Sequence, residues 1–134
     1  MKVPCNMAVK HSGLRILVVE DSLLIVKRIW GMVSELEGVT LMTHAKDGFE
    51  ALLLSSQIQH DVILLDIKIP GKSGMDVLPE LRKSTKATIV MLTNYSDNYY
   101  RNLCMELGAD FFLDKSNDFE RINDILSEIQ KKAA

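Results

Sequence analysis

Hydrophobic positions along this chain fall into blocks of two alternating kinds. Short, almost wholly apolar runs occupy residues 16–19, 62–65, 89–92 and 111–113. Runs of that length and content suit strands buried on both faces, as in a parallel sheet covered by helices. A fifth run, residues 39–45, alternates apolar with polar residues and predicts an edge strand.

Between the runs, apolar residues recur at helical spacing. Ile25, Ile29, Met32, Val33 and Leu36 share one face of a helix that Ser22 opens and that closes near Gly38. Residues 47–56 and 74–83 predict two more helices; Pro79 in the second requires that helix to start late. Tyr100, Leu103, Cys104 and Leu107 mark a fourth, with Gly108 as its C-terminal cap. Phe119, Ile122, Ile125, Leu126 and Ile129 mark the last, with Asp118 as its N-cap. Strand and helix thus alternate five times, which predicts an α/β fold: one parallel sheet with helices on both faces. The organisation is a single domain over residues 14–132, preceded by a loose tail, residues 1–13.

Composition narrows the function more than the fold. The 134 residues are 47% hydrophobic and 25% charged, the balance of a folded globular domain. A net charge of −2 provides no basic field for DNA, RNA or an anionic membrane. No apolar run approaches the roughly 18–20 residues of a membrane span, and the first residues lack the apolar core of a secretory signal. A cytoplasmic protein is expected. Cys5 and Cys104 show no metal-ligand spacing and read as free thiols, Cys104 as a small core residue.

In open α/β sheets, ligands bind outside the carboxyl ends of the strands. Glu20 and Asp21 follow the first run, Asp66 follows the run at 62–65, Thr93 ends the run at 89–92, and Asp114 and Lys115 follow the run at 111–113. Converging carboxylates repel one another unless a cation compensates them, and oxygen ligands suit a hard ion such as Mg2+. A lysine and a hydroxyl beside them suit an anion, for which a phosphoryl group is the obvious candidate. An Asp carboxylate can itself be the nucleophile, giving an aspartyl phosphate. Each residue has a plainer reading. Asp21 or Ser22 is also a helix N-cap candidate, and a lone Thr or Lys is usually structural or solvated. The coincidence of four strand ends carries the functional reading.

The segments 16–22 (ILVVEDS), 61–74 (DVILLDIKIPGKSG), 90–93 (VMLT) and 108–115 (GADFFLDK), with 45–51 (AKDGFEA), resemble the receiver domain of bacterial two-component response regulators. The resemblance covers about the whole of 14–131. It implies a flavodoxin-like, doubly wound five-stranded sheet of order 2-1-3-4-5. It also implies a phosphoprotein in a two-component system or phosphorelay, phosphorylated on Asp66 from a sensor histidine kinase or a histidine phosphotransfer protein. Mg2+, for which Mn2+ can substitute, would be held by Asp21, Asp66, Glu20 (mostly through water) and the main-chain carbonyl of Lys68. Thr93 and Lys115 would hold phosphoryl oxygens. Thr93 and Phe112 would act as the switch, acting on the surface of the fourth helix, fifth strand and fifth helix. Lys68 and Tyr95 would border the approach of the hydrolytic water. Leu23, which forms an apolar stripe with Val26 and Trp30, would dock the phosphodonor; packing against a neighbouring helix explains the same stripe.

Two departures stand out. Ser116 follows Lys115 where many receivers have a proline in a cis peptide, and a cis bond there would cost about 2.5–4 kcal/mol. Phe112 replaces the more usual tyrosine and lacks its hydroxyl. Two alternatives remain open. One is the receiver part of a longer DNA-binding response regulator. The other is a haloacid-dehalogenase-type phosphatase, which Lys68 argues against by standing where that chemistry wants a second Asp. On the main reading the chain is not a conventional enzyme, and only takes up and loses its own phosphoryl group.

Overall fold

The computed structural model describes residues 13–133. The elements follow in the order β1 (Leu14–Val19), α1 (Leu23–Val33), β2 (Val39–Ala45), α2 (Gly48–Gln57), β3 (Val62–Leu65), α3 (Gly74–Ser84), β4 (Thr88–Thr93), α4 (Asn98–Glu106), β5 (Phe111–Asp114) and α5 (Arg121–Ala133). All four strand pairings are parallel, and the sheet order is β2-β1-β3-β4-β5. The alternating run at 39–45 is indeed an edge strand.

The period of two along each strand divides the core between two layers. Leu17, Val19, Ile63, Leu65, Ile89, Met91 and Phe112 face α2, α3 and α4, where they meet Ala51, Val77, Leu78, Leu81 and Cys104. Ile16, Val18, Val62, Leu64, Val90, Leu92 and Leu113 face α1 and α5, meeting Ile29, Val33, Phe119, Ile122 and Leu126. Cys104 is a buried free thiol, and burial pushes it up to about 11. Cys5 and the expected tail lie outside the described residues, apart from Gly13.

Three helix boundaries differ from the sequence expectation. Helix α1 ends at Val33 rather than near Gly38, because the chain tightens: the amides of Glu35 and Leu36 donate to Met32 and Val33, three residues back. Helix α3 starts at Gly74 and runs through Pro79. Proline there removes the amide that would bond to Met75, near the helix start, and burial of Val77, Leu78 and Leu81 offsets the loss. Asp118 does not cap α5, which begins at Arg121. Its carboxylate instead accepts the Asp114 amide, holding the loop after β5.

Candidate functional site

Backbone register brings the polar strand ends together. Val19 pairs with Leu65, Leu65 with Met91, and Thr93 with Asp114, so the three central strands and β5 end at one edge. The ladder continues one step further: the Asp66 amide donates to Val19, the Glu20 amide to Ala45 and the Lys115 amide to Thr93. Glu20, Asp66, Thr93 and Lys115 are therefore positioned by main-chain bonds. All four are buried, at 3%, 6%, 0% and 8% exposure.

The Lys115 ammonium joins the two buried carboxylates, 2.7 Å from Oε1 of Glu20 and 2.8 Å from Oδ2 of Asp66. The other Glu20 oxygen, Oε2, accepts the Ser22 amide at 3.0 Å. Burial pushes the Glu20 carboxyl above the usual carboxylate range, against the pull of Lys115 and the Ser22 amide. For Lys115, burial works against the charge, but hydrogen bonds to Asp66 and Glu20 outweigh it and hold the ammonium above its ordinary value. The Thr93 hydroxyl accepts the Tyr95 amide at 3.1 Å and keeps its own proton to donate.

Asp21 is exposed, and Ser22 rather than Asp21 is the N-cap of α1, accepting the Ile25 amide. That leaves the Asp21 carboxylate free of capping duty. Carboxylate oxygens of Glu20, Asp21 and Asp66 lie within 4.8 Å of one another. Oxygens on one magnesium are at most about 4.2 Å apart, given bonds of about 2.1 Å. The trio fits such an ion after drawing in by a fraction of an ångström.

An open cleft of about 550 Å³ surrounds this cluster, lined also by Ile25, Arg28, Lys68, Asn94, Tyr95 and Ser116. Lys68 and Tyr95 do stand together at its mouth, ammonium 5.8 Å from ring centroid. Behind Asp66 there is no room: a Cβ on Gly74 would lie 2.1 Å from the Asp66 carbonyl oxygen, and the Gly74 amide donates to Ile67. Every described peptide bond is trans, Lys115–Ser116 included. Asp114 shapes that loop, its carboxylate accepting the Ser116 amide, the Asn117 amide group and the Ser96 hydroxyl. Those bonds, the Ser116 amide foremost, hold the Asp114 carboxyl below the usual range.

Phe112 is buried in the α4-side core, with the Arg101 guanidinium 4.9 Å from its ring. Leu23 and Trp30 are 65% and 48% exposed, so no neighbouring helix covers them; only Val26 of that stripe packs inward. Sequence reasoning missed Arg28 and His44. Arg28 lies one turn after Ile25 on the same face of α1, a spacing that could have revealed it. Nε2 of His44 donates to the Glu20 carbonyl at 2.7 Å, a contact between strands that local sequence does not encode.

The family model of the response regulator receiver domain matches residues 16–127. The chain belongs to that family. Among curated proteins, this receiver domain is 37% identical over 113 residues to the transcriptional regulatory protein CpxR of Klebsiella pneumoniae, covering 81% of the chain and 46% of that relative. It is 25% identical over 108 residues to the transcriptional regulatory protein YdfI of Bacillus subtilis, covering 81% of the chain and 51% of the relative. The chain thus spans about half the length of these regulators. Among solved structures, the receiver domain of the Francisella response regulator 1452 superposes with a TM-score of 0.82 at 25% identity, over 91% of this chain and all of that one. A LuxR-family response regulator from Aurantimonas, 21% identical, shares the fold with a TM-score of 0.81, over 90% of this chain and 86% of that one. Receiver domains generally bind Mg2+ at an acidic pocket and interact with histidine kinases, and the cluster of Glu20, Asp21 and Asp66 is such a pocket in composition. Among the described residues, no helix is long and apolar enough to cross a membrane.

Proposed function

We propose that residues 14–132 form a phosphoacceptor receiver in which the carboxylate of Asp66 takes a phosphoryl group from a phosphohistidine. The observation that carries this reading is the Lys115 ammonium bonded at once to Asp66 and Glu20, beside the exposed carboxylate of Asp21. In the transfer, an Asp66 oxygen bonds to phosphorus as the P–N bond breaks, and the electron pair leaves on the imidazole nitrogen. The developing charge needs partners on every phosphoryl oxygen. Lys115 supplies one from a rigid buried position, and Thr93 supplies another through its free hydroxyl proton. Glu20, Asp21, Asp66 and the Lys68 carbonyl are the groups that would hold Mg2+, or Mn2+ in its place, which neutralises the remaining charge when bound.

Output follows from the same residues. Turning Thr93 toward a phosphoryl group competes with its bond to the Tyr95 amide, loosening the start of the α4 segment. Phe112 and Arg101 tie α4 to β5, so the α4–β5–α5 surface is where a downstream protein would sense the change. The exposed Leu23 is the proposed docking contact of the donor protein. Intact mass after incubation with acetyl phosphate and Mg2+ tests the central claim. One acid-labile phosphoryl group is expected on the wild type and none on Asp66→Asn; equal labelling of both would overturn it.

A second reading is favoured by the length of the curated relatives, which are transcriptional regulators about twice as long as this chain. On it, this domain is the regulated half of a DNA-binding protein. The genomic reading frame beyond residue 134 decides between the two: a helix-turn-helix coding sequence in frame supports the second.

A further inference from the structure

Arg28 is a charged residue lining the cleft whose position the proposed phosphoryl chemistry does not explain. Its guanidinium carbon lies 3.9 Å from the centroid of the Phe119 ring, and Phe119 is buried. A contact of this kind holds the guanidinium against the ring without occupying its N–H groups. Among the described residues Arg28 forms no hydrogen bond and no ion pair, although it shares a cleft with three carboxylates. It is also exposed, so its donors face incoming molecules. By contrast Lys115 is paired with Glu20 and Asp66, and the third cation of the cleft, Lys68, lies toward the Tyr95 ring.

A transferring phosphoryl group has three peripheral oxygens, and the proposed site already gives each a partner: Lys115, Thr93 and the cation. The fork of Arg28 is left over. It matches the geometry of a carboxylate, to which a guanidinium donates two parallel bonds. The hydroxyl of Ser116, which also lines the cleft, makes no hydrogen bond among the described residues and offers one more donor.

We infer that Arg28 is a specificity-determining residue that selects phosphodonors carrying a carboxylate beside the phosphoryl group. The inference rests on the reading of Asp66 as the acceptor. The carboxylate comes either from an acidic side chain next to the phosphohistidine of a donor protein or from the far end of a small acyl phosphate. In both cases an Asp66 oxygen bonds to phosphorus and the bond to the leaving group breaks. The electron pair departs on imidazole nitrogen or on the acyl carboxylate, while the second carboxylate stays on Arg28.

Two matched donor pairs test this on the full chain with Mg2+: succinyl phosphate against acetyl phosphate, and synthetic phosphohistidine peptides with Glu or Gln beside the phosphohistidine. The readout is the ratio of kcat/KM within each pair, followed by intact mass, for the wild type, Arg28→Gln and Arg28→Lys. The wild type is expected to favour the carboxylate-bearing donor by about five- to tenfold in at least one pair. Arg28→Gln should bring that ratio to about one, with Arg28→Lys between. Loss of preference in the peptide pair alone assigns the carboxylate to a protein donor, and loss in the acyl pair alone to a small molecule. Ratios near one in the wild type, or unchanged in Arg28→Gln, overturn the inference while leaving Asp66 labelling intact. Absence of Asp66 labelling with every donor would instead defeat the acceptor reading, and this inference with it.

Discussion

Nε2 of His44 donates a hydrogen bond across 2.7 Å to the main-chain carbonyl of Glu20. The bond fixes the ring tautomer and braces the acidic turn from the edge strand β2, outside the cleft itself. His44→Ala should leave the carboxylates in place but let their turn relax. Groups that orient metal ligands typically matter by about tenfold or more in affinity. We expect Mg2+ affinity, read by Trp30 fluorescence or calorimetry, to fall by about that factor. His44→Gln, which can still donate, should retain much of it. Equal affinity in wild type and His44→Ala would show that the brace is irrelevant to the cation.

Lys115→Met should be costly in the absence of metal. It strands Glu20 and Asp66, both buried, without their shared counter-ion. Breaking such a group from one side costs about 3–5 kcal/mol. The folded ammonium titrates above its ordinary 10.5, so the unfolded chain releases the proton first as pH rises. Its stabilisation is therefore full below 10.5 and lost through the folded value. Urea midpoints in EDTA should separate wild type from Lys115→Met at pH 8 and converge in strong alkali; a constant gap would contradict the assignment.

His60 provides a separate acid limb. It is buried, its Nε2 meets the Thr43 hydroxyl at 3.1 Å, and Nδ1 has no hydrogen-bond partner of good geometry among the described residues. Burial first, then the nearby Arg15 charge, push its proton affinity below the ordinary 6.5, against Asp61. The unfolded chain thus takes up a proton before the folded one does. Stability from this group is present above 6.5 and declines as pH falls through 6.5 toward the lower folded value. A denaturation series from pH 7.5 to 5 should show that decline in the wild type and a shallower one in His60→Gln. Parallel curves would remove His60 as its source.

The cleft mouth should govern how long a phosphoryl group persists. Lys68 and Tyr95 stand side by side there, and neither carries a carboxylate or amide to orient a water. Hydrolysis needs a water aligned with phosphorus. Lys68→Asn combined with Tyr95→Glu should shorten the phosphoprotein lifetime severalfold in a decay time course with excess Mg2+. A lifetime equal to or longer than that of the wild type would sink the idea.

Much of this was legible in the sequence because the strands are buried on both faces. Continuous apolar runs at 16–19 and 62–65 carry their own end points, and the first polar residues, Glu20 and Asp66, fall at the rim by necessity. Boundaries set by tertiary contacts were not legible. Asp118 has the sequence signature of an N-cap, yet its carboxylate serves the Asp114 amide, a choice made by the shape of the β5 loop. Pro79 argued for a late helix start, but the burial of Val77 and Leu78 overrides one missing amide. His44 belongs to the site through a contact between elements, to the Glu20 carbonyl, which no local pattern announces, whereas Arg28 left a local trace in its spacing from Ile25.

The absence of a side chain at Gly74 gives the molecule one hard wall and one soft one. Helix α3 is seated directly on the backbone of Asp66, with less clearance than a single methyl group requires. The Asp66 main chain therefore has no room to retreat in that direction. On the proposed reading, adjustment to a phosphoryl group falls to the opposite rim, where the Thr93 hydroxyl accepts the Tyr95 amide. A glycine chosen for close packing thereby sets the direction in which the domain can yield. Gly74→Ala would damage more than stability, because its methyl would push the Asp66 backbone away from α3 and displace the carboxylate it carries.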